Sequence, residues 1–468
     1  MKVILAGYNI DSEVIEDLKK TSHPRADVTP ETLSAAYARV SRDPRSVDEL
    51  RKIACQEVEK ARKSNQNIIF NMGHHSVAEH AVFNFDIIDV SRLAIEDLEK
   101  FRLCSYTEKS QRYQSLEDNF VMPAELKGTE FEKDFIKVIN EQNELYGNLK
   151  TNLAEKYGEL ANEDARYITS LATCAQLGMT MNARNLELIF RRLASNPLCE
   201  VFTLGKEMFS AVEKIAPSII LFTSANDLDV KTYGDLEELT GRRAYVGSSA
   251  TRSANVNLVE HTKNPDDILV SSLLHTSSGS DYKKCRQTVK KMTFEEKKEI
   301  VKTACRHMKF YDSTIREFEH IYFTFDIVLS AACFGQLKRH RMGTITCQKY
   351  NPKLGLTIPP SIIEIGMEKP FKTIAKRSEK LFYRIYEKIP HVAPYVLTNA
   401  HRKRVLLTIN ARELYHVSRL REDTHAQWDI KDISTQMTIK ARDAAPLSML
   451  LIGGKDSYDQ IFERAYNV

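Results

Sequence analysis

Glu79-His80-Ala81-Val82-Phe83-Asn84-Phe85-Asp86-Ile87 and Glu319-His320-Ile321-Tyr322-Phe323-Thr324-Phe325-Asp326-Ile327 are two writings of one segment. Six of nine positions are identical, and the two lie 240 positions apart. Phenylalanine at alternate positions puts both rings on one face of an extended chain, so each copy predicts a half-buried strand. Working outward, the stretch Tyr167 to Arg184 matches Tyr395 to Arg412 at equal length and at a spacing of 228. The first ends in Thr180-Met181-Asn182-Ala183-Arg184 and the second in Thr408-Ile409-Asn410-Ala411-Arg412. Arg102 and Arg341 form a third pair 239 apart, and Ala216-Pro217 and Ala445-Pro446 a fourth, 229 apart. The order is the same in both halves and the spacing drifts little. A single tandem duplication followed by small deletions accounts for it.

The first copy is placed at residues 1–225 and the second at 265–468. Residues 226–264, with the turn-forming run 247–255, read as a connector with some local structure. Amphipathic helices are expected at Asp48–Ser64, Phe131–Tyr157, Leu186–Ile215, Phe294–Tyr311 and Phe371–Ile389. Long helices around a few strands make the class α+β.

The chain has 468 residues, of which 42% are hydrophobic and 28% charged, which fits a water-soluble globular protein of two or three domains. Its N-terminus lacks the basic and cleavage features of a signal peptide, and no apolar run reaches membrane-spanning length. The net charge of +4 is spread along the chain and gives no case for nucleic acid. The eight cysteines form no CxxC pair, and no histidine cluster has zinc spacing, so no metal is expected. The thiols read as reduced, mostly buried groups of a cytoplasmic protein.

Two polar constellations stand out. The first copy carries Lys100-Phe101-Arg102 and, further on, Glu108, Ser110, Gln111 and Arg112, followed by Tyr113. The second carries Gln336, then Arg339-His340-Arg341, then Cys347, Lys349 and Tyr350. Two arginines flanking a histidine at a helix end can hold a phosphate or an electron-rich ring. In an extended run Glu108, Ser110 and Arg112 share a face and could grip one ligand. Either motif alone is also what an ordinary solvated helix end looks like.

Taken with their neighbours, these residues make the sequence resemble the flavin-dependent thymidylate synthases. That family carries Arg-His-Arg, then a serine, then Glu-x-Ser-x-Arg-Tyr. Gly73-His74-His75-Ser76 with Glu79-His80 resembles its upstream loop, and Ala38-Arg39-Val40-Ser41 its early motif. Asn410-Ala411-Arg412 and Leu420-Arg421 through His425-Ala426-Gln427-Trp428 resemble its C-terminal signature. The departures are complementary. The first copy has Lys100-Phe101-Arg102 for Arg-His-Arg, Asp97 for the family's Gln, and Leu198-Cys199-Glu200-Val201 for Ala-Gln-Trp-Glu. The second has those motifs intact, but it lacks the Gly-His loop around Thr314, and its ligand loop reads as two residues short.

The resemblance implies two copies of that fold, long helices with a small, largely antiparallel sheet. It implies a methyltransferase that makes dTMP from dUMP, with FAD as cofactor and methylenetetrahydrofolate and NADPH as co-substrates. Arg112 would take the nucleotide phosphate, helped by backbone N–H groups near Ser110, with Glu108 and Gln111 beside the nucleotide. Gln336 and Arg339 would fix the nucleotide, and Arg421 would be the catalytic group against the pyrimidine. His340, Arg341, Asn410, Arg412, His416 and His425 would hold FAD, with Glu108 and Arg339 reaching that side too, and His74 would face the folate. One composite site per chain would join Glu108, Ser110 and Arg112 to Gln336, Arg339, His340, Arg341 and Arg421. Two chains would form a homodimeric pseudo-tetramer. The rival readings are a related flavin enzyme acting on another pyrimidine nucleotide, or a non-catalytic flavin- or nucleotide-binding homologue. Asn410-Ala411-Arg412 also reads as a helix cap with its salt bridge.

Overall fold

The computed structural model describes residues 1–20, 28–112, 119–243 and 255–466. Tyr113 and most of the run 247–255 lie outside the described residues. The first repeat builds a sheet from β1 (Lys2–Tyr8), β2 (Val82–Ser91), β3 (Ser105–Glu108) and β4 (Cys174–Asn182), in the order β1-β2-β4-β3. The second builds β5 (Val256–His261), β6 (Tyr322–Ser330), β7 (Thr344–Cys347) and β8 (Arg402–Asn410), in the order β5-β6-β8-β7. All neighbours are antiparallel, and the registers coincide. Phe83 faces Met181 as Phe323 faces Ile409, and Ser105 faces Thr180 as Thr344 faces Thr408. Even the bulge in the first strand recurs, between Leu5 and Gly7 and between Leu258 and Glu260. The α+β class and the duplication both stand.

The phenylalanine alternation does what its period predicts. Phe83, Phe85 and Ile87, and Phe323, Phe325 and Ile327, are fully buried on one face of their sheets. The drift of the repeat spacing from 240 to 239 has one identifiable cause. β2 carries a second bulge between Ile88 and Val90, and the inserted residue, Asp89, takes a left-handed φ of 55°. β6 has no counterpart, so it is one residue shorter.

Two expected helices are interrupted. The stretch read as Leu186–Ile215 is two helices, Ala183–Ala194 and Cys199–Val212. Pro197 lies in the break, where it can neither donate a backbone hydrogen bond nor let its predecessor stay helical. The Asn196 side chain accepts the Leu198 N–H at 3.0 Å and starts the next helix. Asp48–Ser64 similarly divides at Glu57. The connector 226–264 holds a 17-residue helix, Asp227–Arg243, and β5, which opens the second sheet.

Two compact units emerge, and they do not follow the repeats. The first is Met1–Ser248 with Pro360–Thr398, the second Ser249–Pro359 with Asn399–Val468. The second repeat's long helix, Glu368–Lys388, therefore belongs to the first unit. There the buried Gln142 amide on the Glu132–Tyr157 helix donates to Ser378 Oγ at 2.7 Å and to the Val396 carbonyl at 2.9 Å. Arg377 and Arg384 pair with Glu141 and Asp134 at 2.8 and 2.6 Å.

Both sheets end β2 or β6 in a serine that starts the next helix. Ser330 Oγ accepts the Cys333 N–H at 2.9 Å and donates to Asp429 at 2.6 Å. Ser91 does the same with Ala94 and Glu200, at 3.0 and 2.6 Å. Each is an N-cap tied by a charge-assisted hydrogen bond to a later helix. Ser330→Ala removes both interactions and is expected to cost about 2 kcal/mol. Urea unfolding followed by circular dichroism would register it as a lower midpoint.

Candidate active site

In the second unit the helix Ala331–Leu337 delivers Gln336 buried and then Arg339-His340-Arg341. Arg339 is exposed, Arg341 partly so, and His340 is buried. The helix Ala411–Arg421 brings Arg421 against this run. Arg421 donates from Nε to His340 Nε2 at 2.9 Å and from Nη2 to the Gln336 carbonyl at 3.3 Å. On the other side of the ring, Glu413 Oε1 lies 3.7 Å from His340 Nδ1. His416 packs edge-on at 5.9 Å between centroids and is itself exposed, as is His425. The Gln336 amide donates to Gln427 Oε1 at 3.3 Å, and Gln427 caps the Trp428–Ala444 helix.

Burial pushes the His340 pKa below its usual 6.5, and the Arg421 charge pushes the same way, against the opposing pull of Glu413. The sign follows for stability. Below pH 6.5 the unfolded chain takes up a proton that the folded site resists, so acid erodes stability from that point downward. His340→Gln has no such proton to gain. Thermal unfolding between pH 7.5 and 5.5 is expected to show a shallower acid loss for that variant than for the natural chain.

In the first unit, β3 ends at Glu108, and the chain then turns rather than continuing extended. Ser110 Oγ accepts the Arg112 N–H at 3.2 Å, a local hydrogen bond that competes with a strand. Glu108, Ser110 and Arg112 therefore do not share a strand face. Glu108 and Arg92, both with 4% exposed side chains, pair at 2.9 Å. Arg112 Nε donates to Glu163 at 2.5 Å. Arg166 is buried and donates to the Glu163 carbonyl at 3.0 Å. Burial lowers the Arg166 pKa, and the charges of Arg92 and Arg112 add to that effect. The buried Gln111 amide nitrogen has no partner among the described residues. Three guanidinium groups around two carboxylates make a cradle suited to an anion. His74 is exposed on its own loop, with Arg42 Nη2 3.5 Å from its Nε2.

Arg92, Glu163 and Arg166 were not singled out from sequence. They lie outside the motif and enter it only through folding. Glu413 was missed for a different reason, since a lone glutamate in a helix carries no signal.

The equal registers make the two repeats each other's control. Some pairs recur in both. Asn182 and Asn410 cap their helices by accepting the Asn185 and Glu413 N–H groups, at 2.9 and 2.8 Å. Arg184 pairs with Glu79, and Arg412 with Glu319 at 2.6 Å. Other residues occur once. Cys347 stands where Glu108 does, since these face the matched positions Val405 and Leu177. Beyond the strands the ligand loop is also shorter in the second repeat, by three residues between the matched anchors Lys109 and Phe120 in the first and Gln348 and Leu356 in the second, where its sequence suggested two. At the same spacings Ala331 stands for Arg92 and Pro394 for Arg166. Conversely Asp97, Phe101, Asn185 and Leu193 stand for Gln336, His340, Glu413 and Arg421. Leu198 and Gln427 both precede their helices, so Pro197-Leu198-Cys199-Glu200 matches Ala426-Gln427-Trp428-Asp429. That is one residue earlier than the sequence placed it.

All eight cysteines are free, and five are buried. Among the described residues no cluster of histidine, cysteine and carboxylates could hold a metal, and no helix is long and apolar enough to cross a membrane.

Fold and half-sites thus define a duplicated α+β protein whose polar chemistry is divided between its repeats. Comparison with known proteins agrees. The family model described as thymidylate synthase complementing protein matches residues 26–218 and again 257–447. A flavin-dependent thymidylate synthase of Clostridium tetani is 31% identical over 209 residues, covering 42% of this chain and 82% of that protein. Similarity also runs along most of the chain. A UPF0159 protein of Chlamydia muridarum is 24% identical over 81% of this chain and 78% of its own length. A UPF0159 protein of Thermoplasma acidophilum is 22% identical over 88% and 92%. The chain belongs to the thymidylate synthase complementing protein family, the flavin-dependent thymidylate synthases, as a tandem-duplicated member.

Proposed function

We propose that this chain is a flavin-dependent methyltransferase that makes dTMP from dUMP, using methylenetetrahydrofolate and NADPH, with each repeat supplying a different part of one composite site. One observation carries the reading. What the repeats share is caps, registers and ion pairs, whereas each retains a polar constellation whose counterpart is replaced as a set in the other. Neutral drift of an unused site has no reason to divide the losses so.

The residues fit FAD. A buried histidine flanked by the exposed Arg339 and partly exposed Arg341, with His416 and His425 at the surface, offers cationic and aromatic contacts to a ring system bearing phosphates. Bound there, the flavin would supply the redox chemistry. The protein's own part is orientation and charge. Arg112, Arg92 and Arg166 neutralise the nucleotide phosphate, and Gln111 offers its amide. Gln336 and Arg339 orient the nucleotide. Arg421 stabilises negative charge developing on the pyrimidine. His74 serves the folate side. Asn410 and Arg412, whose pairings recur as Asn182 and Arg184, are assigned to the fold. Two chains assemble as a homodimer, which light scattering would register as twice the chain mass.

The test is turnover of dUMP by purified protein with FAD, NADPH and methylenetetrahydrofolate, followed as dTMP. Product from another pyrimidine nucleotide and none from dUMP would overturn the substrate assignment. Protein that takes up no flavin would overturn the reading as a whole.

A further inference from the structure

The second unit holds a polar relay that goes beyond cofactor contact. His340 is 4% exposed, too enclosed to serve chiefly as a surface ligand. Its two ring nitrogens do different work. Nε2 accepts the Nε–H of Arg421 at 2.9 Å, which it can do only when that nitrogen carries no proton. The proton of the neutral ring then sits on Nδ1, the nitrogen that faces Glu413 at 3.7 Å. The Gln336 carbonyl takes a second guanidinium donor of Arg421 at 3.3 Å. A guanidinium held through Nε and one Nη has its plane fixed, and its remaining N–H groups point along a set direction.

The first repeat supplies an independent argument. It has the same strands, caps and registers, yet Phe101, Asn185, Leu193 and Asp97 stand where His340, Glu413, Arg421 and Gln336 do. Arg421 and the groups that hold it were replaced together. A histidine that only filled space, or only touched a cofactor, has no reason to vary with a glutamate behind it.

We propose that His340 is a positioning residue, which in its neutral Nδ1–H form, with the Arg421 donor fixing the tautomer and the Glu413 carboxylate on the Nδ1 side, accepts Arg421 and aims its guanidinium. The inference rests on the assignment of Arg421 to the nucleotide for its catalytic consequence, but the tautomer and the hydrogen bond stand without it. The charged or titratable groups that face the ring are Glu413, His416 and Arg421, all from the helix Ala411–Arg421, with Arg339 and Arg341 as chain neighbours. Burial, and after it the Arg421 charge, favour the neutral ring against the opposing pull of Glu413.

Two experiments on the full chain test it. In protein labelled with ¹⁵N-histidine, long-range ¹H–¹⁵N correlation at pH 7 should give His340 a protonated Nδ1 and a bare, hydrogen-bonded Nε2. His340→Phe identifies the signal. A protonated Nε2 or an imidazolium would overturn the proposal, whether or not the protein is active. The second experiment compares His340→Phe, which copies the first repeat and removes the acceptor, with His340→Gln, which keeps an oxygen near the Nε2 position. The Phe variant should lose about 10–100-fold in kcat, with the dUMP dissociation constant changed less than about threefold, and Gln should recover much of the loss. Equal loss in both, or loss confined to flavin uptake, would overturn it. If the natural chain makes no dTMP but the expected tautomer is present, the functional reading fails and the hydrogen-bonded relay remains.

Discussion

Replacing Arg421 with leucine is expected to lower turnover of dUMP by about 10²–10³-fold while leaving a folded protein. Leucine is chosen because the first repeat already carries it. Leu193 occupies the matched position, buried at 2% exposure near the end of an equivalent helix. The backbone therefore accepts that side chain. What leucine cannot supply is a cation held by His340 Nε2 and the Gln336 carbonyl. A donor aimed at charge that develops only during reaction contributes more to the transition state than to binding, so kcat should fall much more than the affinity for dUMP. Stopped-flow turnover and a nucleotide titration on one preparation measure both. A variant with unchanged kcat would remove Arg421 from its catalytic assignment.

The second large effect concerns the other half of the chemistry. Arg112→Asn keeps a polar side chain but removes the guanidinium, and it is expected to weaken dUMP binding by about 10–100-fold, the range of one or two charge-assisted hydrogen bonds. The loss should be in the phosphate interaction. Deoxyuridine, which lacks that group, should bind the variant and the natural chain almost equally. Isothermal titration with both ligands separates this from general damage. Removing Arg112 also takes a partner from the buried Glu163, so some loss of stability is expected as well. A variant that binds dUMP normally would show that the cradle of Arg92, Arg112 and Arg166 serves only to hold Glu108 and Glu163.

Much of the fold could be read from one strand. Phe83, Phe85 and their partners at Phe323 and Phe325 gave both the period and the repeat, because burial on one sheet face constrains alternate positions strongly. The insertion at Asp89 was not legible, since a bulge shows only when the partner strand is known. Nor could the sequence reveal that the helix Glu368–Lys388 belongs with the first unit. Repeat boundaries mark ancestry, whereas compact units follow packing.

The candidate site was legible where residues cluster along the chain, as at Arg339-His340-Arg341 and Glu108 to Arg112. Arg92 and Arg166 escaped because they reach the loop only through β2 and through the turn before Tyr167. The extended face expected of Glu108, Ser110 and Arg112 failed for a local reason, the Ser110 hydroxyl accepting the Arg112 N–H. Asn410 and Arg412 show the opposite case. They lie in a family motif, and the helix cap and ion pair they make recur at Asn182 and Arg184. Glu108 with Arg92, and His340 with Arg421, have no such counterpart and are kept on one side only.

The most direct test of that division is ligand stoichiometry. Purified chain saturated with FAD and dUMP should bind one flavin, by absorbance, and one nucleotide, by titration, per polypeptide. Arg112→Asn and Arg421→Leu should each impair that same single site. Two flavins and two nucleotides per chain would mean that each repeat carries a complete site of its own, and would contradict the account.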